Sequence, residues 1–126
     1  MQNYPEKVNL CAEAVLEKKA EDVMVLDMRG LVGYTDYFIV CSGDSAVQIR
    51  AIADELMRGL KDKGCRPLHA EGYDDARWVL LDYGDLIVHV FLREVREFYE
   101  LEKLWADAPC GRIEDKKQQG RGGGAG

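Results

Sequence analysis

The side chains of this 126-residue chain best suited to acid–base or metal chemistry are four aspartates in its second half: Asp74, Asp75, Asp82 and Asp85. Paired carboxylates can bind a divalent cation or exchange protons with a substrate. Asp74 and Asp75 follow a glycine in a predicted turn, where aspartate is favoured for hydrogen bonds to nearby backbone. Asp85 belongs to a break between two apolar runs, so only Asp82 falls inside such a run. No second carboxylate lies at strand spacing from it, and two-metal chemistry is therefore not indicated.

A second candidate is the segment Ser-Gly-Asp-Ser at residues 42–45, which precedes a predicted helix. Backbone N–H groups at a helix N-terminus attract phosphate. The segment lacks the GxxxxGK[ST] and GxGxxG patterns that make such loops specific. Ser45 with Gln48 three residues later matches a capping box, which explains the segment without a ligand. Helix capping is the favoured interpretation, and a small nucleotidyltransferase-like enzyme is the alternative.

The histidines and cysteines do not form a metal or nucleophile pattern. His69 and His89 lie twenty residues apart, and the four cysteines contain no CxxC pair. Zinc sites normally use such close pairs, and a catalytic histidine needs a nearby nucleophile. We therefore interpret His89 as a buried or partly buried structural residue and the cysteines as small hydrophobes. No cofactor, metal or catalytic residue is expected.

The elements that carry these residues centre on a predicted β-hairpin. Two apolar runs, residues 78–83 and 86–92, flank a Gly-Asp break, which is typical of a hairpin turn. Alternation places Trp78, Leu80 and Asp82 on one face of the first strand and Tyr83 on the other. On the sequence alone, Trp78 fits a core residue and an interface anchor equally well.

The remaining pattern predicts a single α/β domain with about five strands and flanking helices over residues 1–110. Helices are predicted from about residue 5 to 20 and from Ser45 to Gly64, with short helical turns within 94–106. Strands are predicted at 23–28, at 37–42 and, as a short edge strand, at 66–71. Residues 111–126 form a Gly-rich polar tail that is predicted to be disordered.

The charge distribution indicates the kind of partner. The net charge is −6. The tail has four basic and two acidic residues, so residues 1–110 carry −8. Non-specific nucleic-acid binding depends on basic residues, and direct nucleic-acid contact is therefore not expected, whereas a basic protein partner is favoured. No apolar run approaches the roughly 20 residues of a membrane span, and the N-terminus has no signal-peptide pattern, which predicts a cytoplasmic protein.

Two long segments resemble the ribosomal silencing factor family, also called Iojap-related. They are EGYDDARWVLLDYGDLIVHVF at residues 71–91 and REFYELEKLWADAP at 96–109. Three shorter segments fit as well: LDMRG at 26–30, TDYFIVCSG at 35–43 and IADEL at 52–56. The resemblance covers residues 5–109. Because no transit peptide is present, the bacterial form fits better than the organelle form.

This resemblance implies a translational repressor that binds the large ribosomal subunit through its fourteenth ribosomal protein and blocks joining of the small subunit. It also implies a mixed five-stranded sheet related to the nucleotidyltransferase fold. The Gly-Ser and Asp-x-Asp motif of active nucleotidyltransferases is not matched, which favours a non-catalytic protein. The family's contact positions on the fourth strand correspond to Trp78, Leu80, Asp82 and Tyr83. A homodimer of the free protein is a further expectation, and a ribosome-independent homodimeric interaction module is another alternative.

Overall fold

A six-stranded mixed β-sheet forms the centre of the protein in a computed structural model that describes residues 4–99, 103 and 108–113. The elements are α1 (Glu6–Glu17), β1 (Glu21–Asp27), β2 (Tyr37–Gly43), α2 (Ala46–Asp62), β3 (His69–Glu71), β4 (Trp78–Asp82), β5 (Leu86–Leu92), α3 (Arg93–Tyr99) and β6 (Cys110–Ile113). The strand order is β3-β4-β5-β2-β1-β6. The β2–β5 pair is parallel and the other pairs are antiparallel. The predicted mixed α/β domain is confirmed, with six strands in place of about five.

The sixth strand corrects the predicted domain boundary. β6 pairs antiparallel with β1, with Cys110 opposite Leu26 and Ile113 opposite Val23. Ile113 also packs against the main core. The predicted boundary at residue 110 is therefore three residues too early, because the open edge of β1 accepts a strand that local composition does not reveal. Residues 114–126 of the predicted tail and most of residues 100–107 lie outside the described residues.

Helices α1 and α2 cover one face of the sheet and form the main core with it. The apolar stripe of α2 is buried, as its helical spacing predicts. Ser45 is the N-cap of α2, and its side chain accepts a hydrogen bond from the N–H of Gln48 at 3.2 Å. The sheet contributes buried residues of all four central strands: Val25, Ile39, Cys41, Val79, Leu81, Val88 and Val90. The predicted helix start at Ser45 is confirmed.

The opposite face of the sheet has a smaller core. It contains Leu26, Met28, Phe38, Val40, Ile87 and Phe91 of the sheet region, together with Val95 of α3 and Ala108. The buried guanidinium of Arg96 donates to the hydroxyl of Ser42 at 2.8 Å and to the carbonyl of Asp22 at 3.0 Å. These bonds fix α3 at the ends of β1 and β2. The same face on β3 and β4 stays accessible.

The predicted hairpin is confirmed by β4 and β5, which are joined through a turn at Gly84 and Asp85. Gly84 has φ of +88°, a conformation that glycine adopts without strain and that hairpin turns require. The N–H of Tyr83 donates to the carbonyl of Leu86 at 2.8 Å. Nζ of Lys7 on α1 forms a salt bridge with Oδ1 of Asp85 at 2.8 Å, which connects the turn to the helical layer.

Candidate functional site

The four predicted contact residues of the fourth strand divide between the two faces of the sheet. Trp78, Leu80 and Asp82 lie on the face away from α1 and α2, while Tyr83 belongs to the main core and is 6% exposed. Burial raises the pKa of the Tyr83 hydroxyl. Strand alternation accounts for this division. The structure therefore brings three of these residues together and places Tyr83 on the other side of the sheet.

Trp78 is a large aromatic side chain of this face and is 40% exposed. Its ring centroid lies 4.8 Å from that of Phe91, the directly opposed residue of β5, with the planes tilted by 45°. Its indole N–H donates to Nδ1 of His89 at 3.1 Å. His89 is the diagonal neighbour of Trp78 across the strand pair, a distance that aromatic side chains can bridge. The indole is thus supported on its inner side and open on its outer side.

His89 is buried, as predicted, with 5% of its surface exposed. Its ring meets Phe38 edge-on at 4.6 Å and lies parallel to Phe91 at 5.9 Å. Burial lowers the pKa of His89 to about 4, so the imidazole is neutral near pH 7. Since an indole N–H can only donate, Nδ1 of His89 must be the unprotonated nitrogen of the ring. The histidine acts as a hydrogen-bond acceptor inside the sheet.

Asp82 has a structural partner of its own. Its Oδ1 accepts the N–H of Gly84 at 2.8 Å, which stabilises the hairpin turn. The side chain is half-buried. Because an ionised carboxylate accepts several hydrogen bonds, this contact leaves capacity for a partner.

The short strand β3 extends this face, a contribution that the sequence pattern does not indicate. His69 is opposite Asp82 and Glu71 is opposite Leu80, so both side chains lie on the same side of the sheet as those residues. Both are exposed and bond to one another. The register of so short a strand leaves no signal in its own sequence. We call the surface formed by His69, Glu71, Trp78, Leu80 and Asp82 the β3–β4 face.

The loop at residues 72–77 sets the start of β4. Gly72 has φ of +83°, and a Cβ at this position would lie 2.0 Å from the carbonyl oxygen of Trp78. The guanidinium of Arg50 on α2 donates to the carbonyl of Tyr73 at 3.1 Å, and the Tyr73 hydroxyl donates to Asp54 at 2.9 Å. The predicted turn at residues 72–75 is confirmed, and the contacts of this loop with α2 position Trp78.

The segment at residues 42–45 uses its polar groups within the chain. The Ser45 hydroxyl caps α2, and the N–H of Asp44 donates to Oε1 of Gln48 at 2.6 Å. The carboxylate of Asp44 pairs with Arg93, and Ser42 is buried against Arg96. This arrangement agrees with helix capping. Over residues 4–99, 103 and 108–113, no group of three or more His, Cys, Asp or Glu side chains could hold a metal ion.

The β3–β4 face has an apolar centre, Trp78 and Leu80, and acidic side chains, Glu71 and Asp82, beside it. An exposed aromatic residue with a polar rim is typical of protein-binding surfaces. The described helices include none long and apolar enough to cross a membrane.

Fold and surface together define a mixed α/β domain whose sheet is covered by helices on one side and partly open on the other. The chain belongs to the family described as "ribosomal silencing factor during starvation", whose model matches residues 1–124. It is 46% identical over 109 residues to the ribosomal silencing factor RsfS of Halalkalibacterium halodurans, covering 86% of this chain and 93% of that protein. It is 43% identical over 112 residues to RsfS of Bacillus subtilis, covering 89% of this chain and 95% of that protein.

A solved structure agrees with this assignment. The crystal structure of a protein from Bacillus halodurans superposes with a TM-score of 0.77 at 44% identity, covering 86% of this chain and 98% of that chain. The resemblance found in the sequence is confirmed at the level of the family and of the fold.

Proposed function

We propose that this protein represses translation by binding the large ribosomal subunit through its fourteenth ribosomal protein and blocking the joining of the small subunit. Its family supports a ribosome-associated silencing role. The observation that supports the β3–β4 face as the contact surface is the fixed aromatic ring of Trp78, which is 40% exposed on the same face as the carboxylates of Glu71 and Asp82. Aromatic anchors of this kind carry much of the binding energy in protein interfaces.

Steric blocking requires a rigid surface and no chemical step. A stable interface buries roughly 800 Å² on each partner, so the contact extends beyond the five residues of the β3–β4 face. The acidic body of the chain favours a basic partner and faster association at low salt. We infer a non-catalytic role, because the polar groups of the segment at residues 42–45 serve α2 and α3. A homodimer of the free protein stays a prediction.

The test is a joining assay with purified ribosomal subunits, analysed by sedimentation. Wild-type protein should co-sediment with large subunits and reduce the yield of joined ribosomes. Trp78→Ala should weaken large-subunit binding by about 2 kcal/mol, roughly 30-fold, and restore joining. Val47→Ala is the matched control, because Val47 is 77% exposed but lies on α2, across the sheet from Trp78.

Two outcomes would contradict the proposal. If wild-type protein did not co-sediment with large subunits, the ribosomal partner would be wrong. If Trp78→Ala and Val47→Ala both bound like wild type, the subunit contact would lie elsewhere than the β3–β4 face.

A further inference from the structure

The exposed indole of Trp78 keeps its one polar group inside the molecule. Its N–H donates to Nδ1 of His89 at 3.1 Å, although 40% of the side chain is accessible. An indole has no second hydrogen-bonding atom, so the accessible part of Trp78 is apolar. A partner that touches this ring meets carbon surface and receives no hydrogen bond from it.

His89 is held in place on several sides. Phe38 contacts its ring edge-on at 4.6 Å, and Phe91 lies parallel to it at 5.9 Å. Its strand β5 is paired with β4 on one side and β2 on the other. The acceptor nitrogen therefore occupies a fixed position within the sheet.

Trp78 consequently has two separate attachments. The contact with Phe91 at 4.8 Å supports the ring, and the hydrogen bond to His89 selects its rotation about the side-chain bonds. Without that hydrogen bond the ring could adopt other rotamers on Phe91, and binding would have to order it. Ordering a side chain on association reduces affinity, and a side chain that is already ordered avoids this loss.

We propose that His89 is a positioning residue of the β3–β4 face, which fixes Trp78 so that its apolar edge enters an apolar pocket of the protein partner. This inference rests on the proposed function, because the partner is the one bound through Trp78. His89 itself does not touch that partner, being 5% exposed.

The test compares His89→Leu with His89→Asn. The two substituted side chains have nearly the same shape, but only asparagine places an acceptor oxygen where Nδ1 of His89 lies. The first measurement is the indole N–H resonance of Trp78 in the free protein, identified by its loss in Trp78→Phe because Trp105 gives a second signal. The second measurement is the affinity for purified large subunits.

His89→Leu should move the Trp78 resonance toward that of a water-exposed indole. It should also weaken subunit binding roughly three- to tenfold, the effect of one neutral hydrogen bond. His89→Asn should retain most of the wild-type resonance position and most of the wild-type affinity for large subunits. In the Trp78→Phe background the donor is absent, so His89→Leu should change binding by less than about twofold. Urea unfolding of each variant separates loss of folded protein from loss of positioning.

The inference is overturned if His89→Leu leaves the resonance unmoved, or weakens binding equally in the wild-type and Trp78→Phe backgrounds. If Trp78→Ala binds weakly while His89→Leu binds like wild type, the inference about His89 is overturned and the proposed contact surface stands. If Trp78→Ala itself binds like wild type, the proposed contact surface fails and the inference fails with it.

Discussion

The carboxylate of Asp82 accepts the backbone N–H of Gly84 at 2.8 Å, so the acidic residue at the end of β4 also closes the hairpin turn. A charge reversal at this position would disturb both the turn and the charge of the β3–β4 face. The two roles can be separated, because asparagine retains an acceptor oxygen but carries no charge.

Asp82→Asn should keep the free energy of unfolding near the wild-type value and slow association with large subunits at low salt. Asp82→Ala should lose about 1 kcal/mol of stability as well, since the Gly84 N–H then lacks its acceptor. Association rates at low and high salt, together with urea unfolding, measure the two effects. If Asp82→Asn showed the same salt dependence as wild type, this carboxylate would not steer the partner.

Tyr83, on the opposite side of the sheet from Trp78, tests whether the partner binds only the β3–β4 face. Its buried hydroxyl has no hydrogen-bond partner within the described part of the chain. Tyr83→Phe removes this group and should leave stability unchanged or raise it by up to about 1 kcal/mol, because a buried unsatisfied hydroxyl is unfavourable. Large-subunit binding should not change. A fall in affinity comparable to that of Trp78→Ala would mean that Tyr83 reaches the partner.

Acid should destabilise the protein through His89. The pKa of His89 is lowered to about 4 in the folded protein, against about 6.5 when unfolded, so the unfolded chain binds the extra proton first. The stability that depends on neutral His89 is complete above pH 6.5 and is lost as the pH falls toward 4. Between pH 7 and pH 5 the loss should be about 2 kcal/mol.

The measurement for His89 is urea unfolding at both pH values in wild type and in His89→Leu. Asp82 is the carboxylate of the same face closest to His89 in the strand register, and it is present in both proteins. The difference between the two therefore isolates the imidazole. Equal pH dependence would show that His89 keeps its usual affinity for protons.

Two glycine substitutions should have opposite effects. Gly72→Ala should lower stability by more than about 1 kcal/mol, because the backbone has φ of +83° and the new Cβ would meet the Trp78 carbonyl. Gly59→Ala should raise stability by about 1 kcal/mol, because Gly59 lies inside α2 with nothing within 4 Å of the added Cβ. Thermal unfolding compares them. A destabilising Gly59→Ala would reveal a close contact at that helix position.

Local pattern predicted much of this fold and part of the site. The break at Gly84 predicted the hairpin, and the capping pattern at Ser45 predicted the start of α2. Period-two alternation predicted that Trp78 and Tyr83 lie on opposite faces. These features depend on neighbours in sequence, so a single sequence contains the information.

Features that depend on distant partners could not be predicted. β6 forms against the open edge of β1, and its Gly-containing sequence has no strand alternation of its own. His69 and Glu71 join the face only through the register of β3 with β4. The bond from Trp78 to His89 depends on the orientation of two side chains across strands, which the spacing of residues does not determine.

The parallel pairing of β2 with β5 has a consequence for how the chain folds. Among the described strands, it is the junction between two antiparallel groups, β6-β1-β2 and β3-β4-β5. The β4–β5 hairpin can form early because its strands are adjacent in sequence. The junction must instead bring together Tyr37 and Leu86, which are separated in sequence by α2, β3 and β4. Such distant contacts slow folding. We expect formation of the β2–β5 pair to limit the folding rate. The hairpin that carries Trp78 should therefore form first and become fixed in the sheet only when β5 pairs with β2.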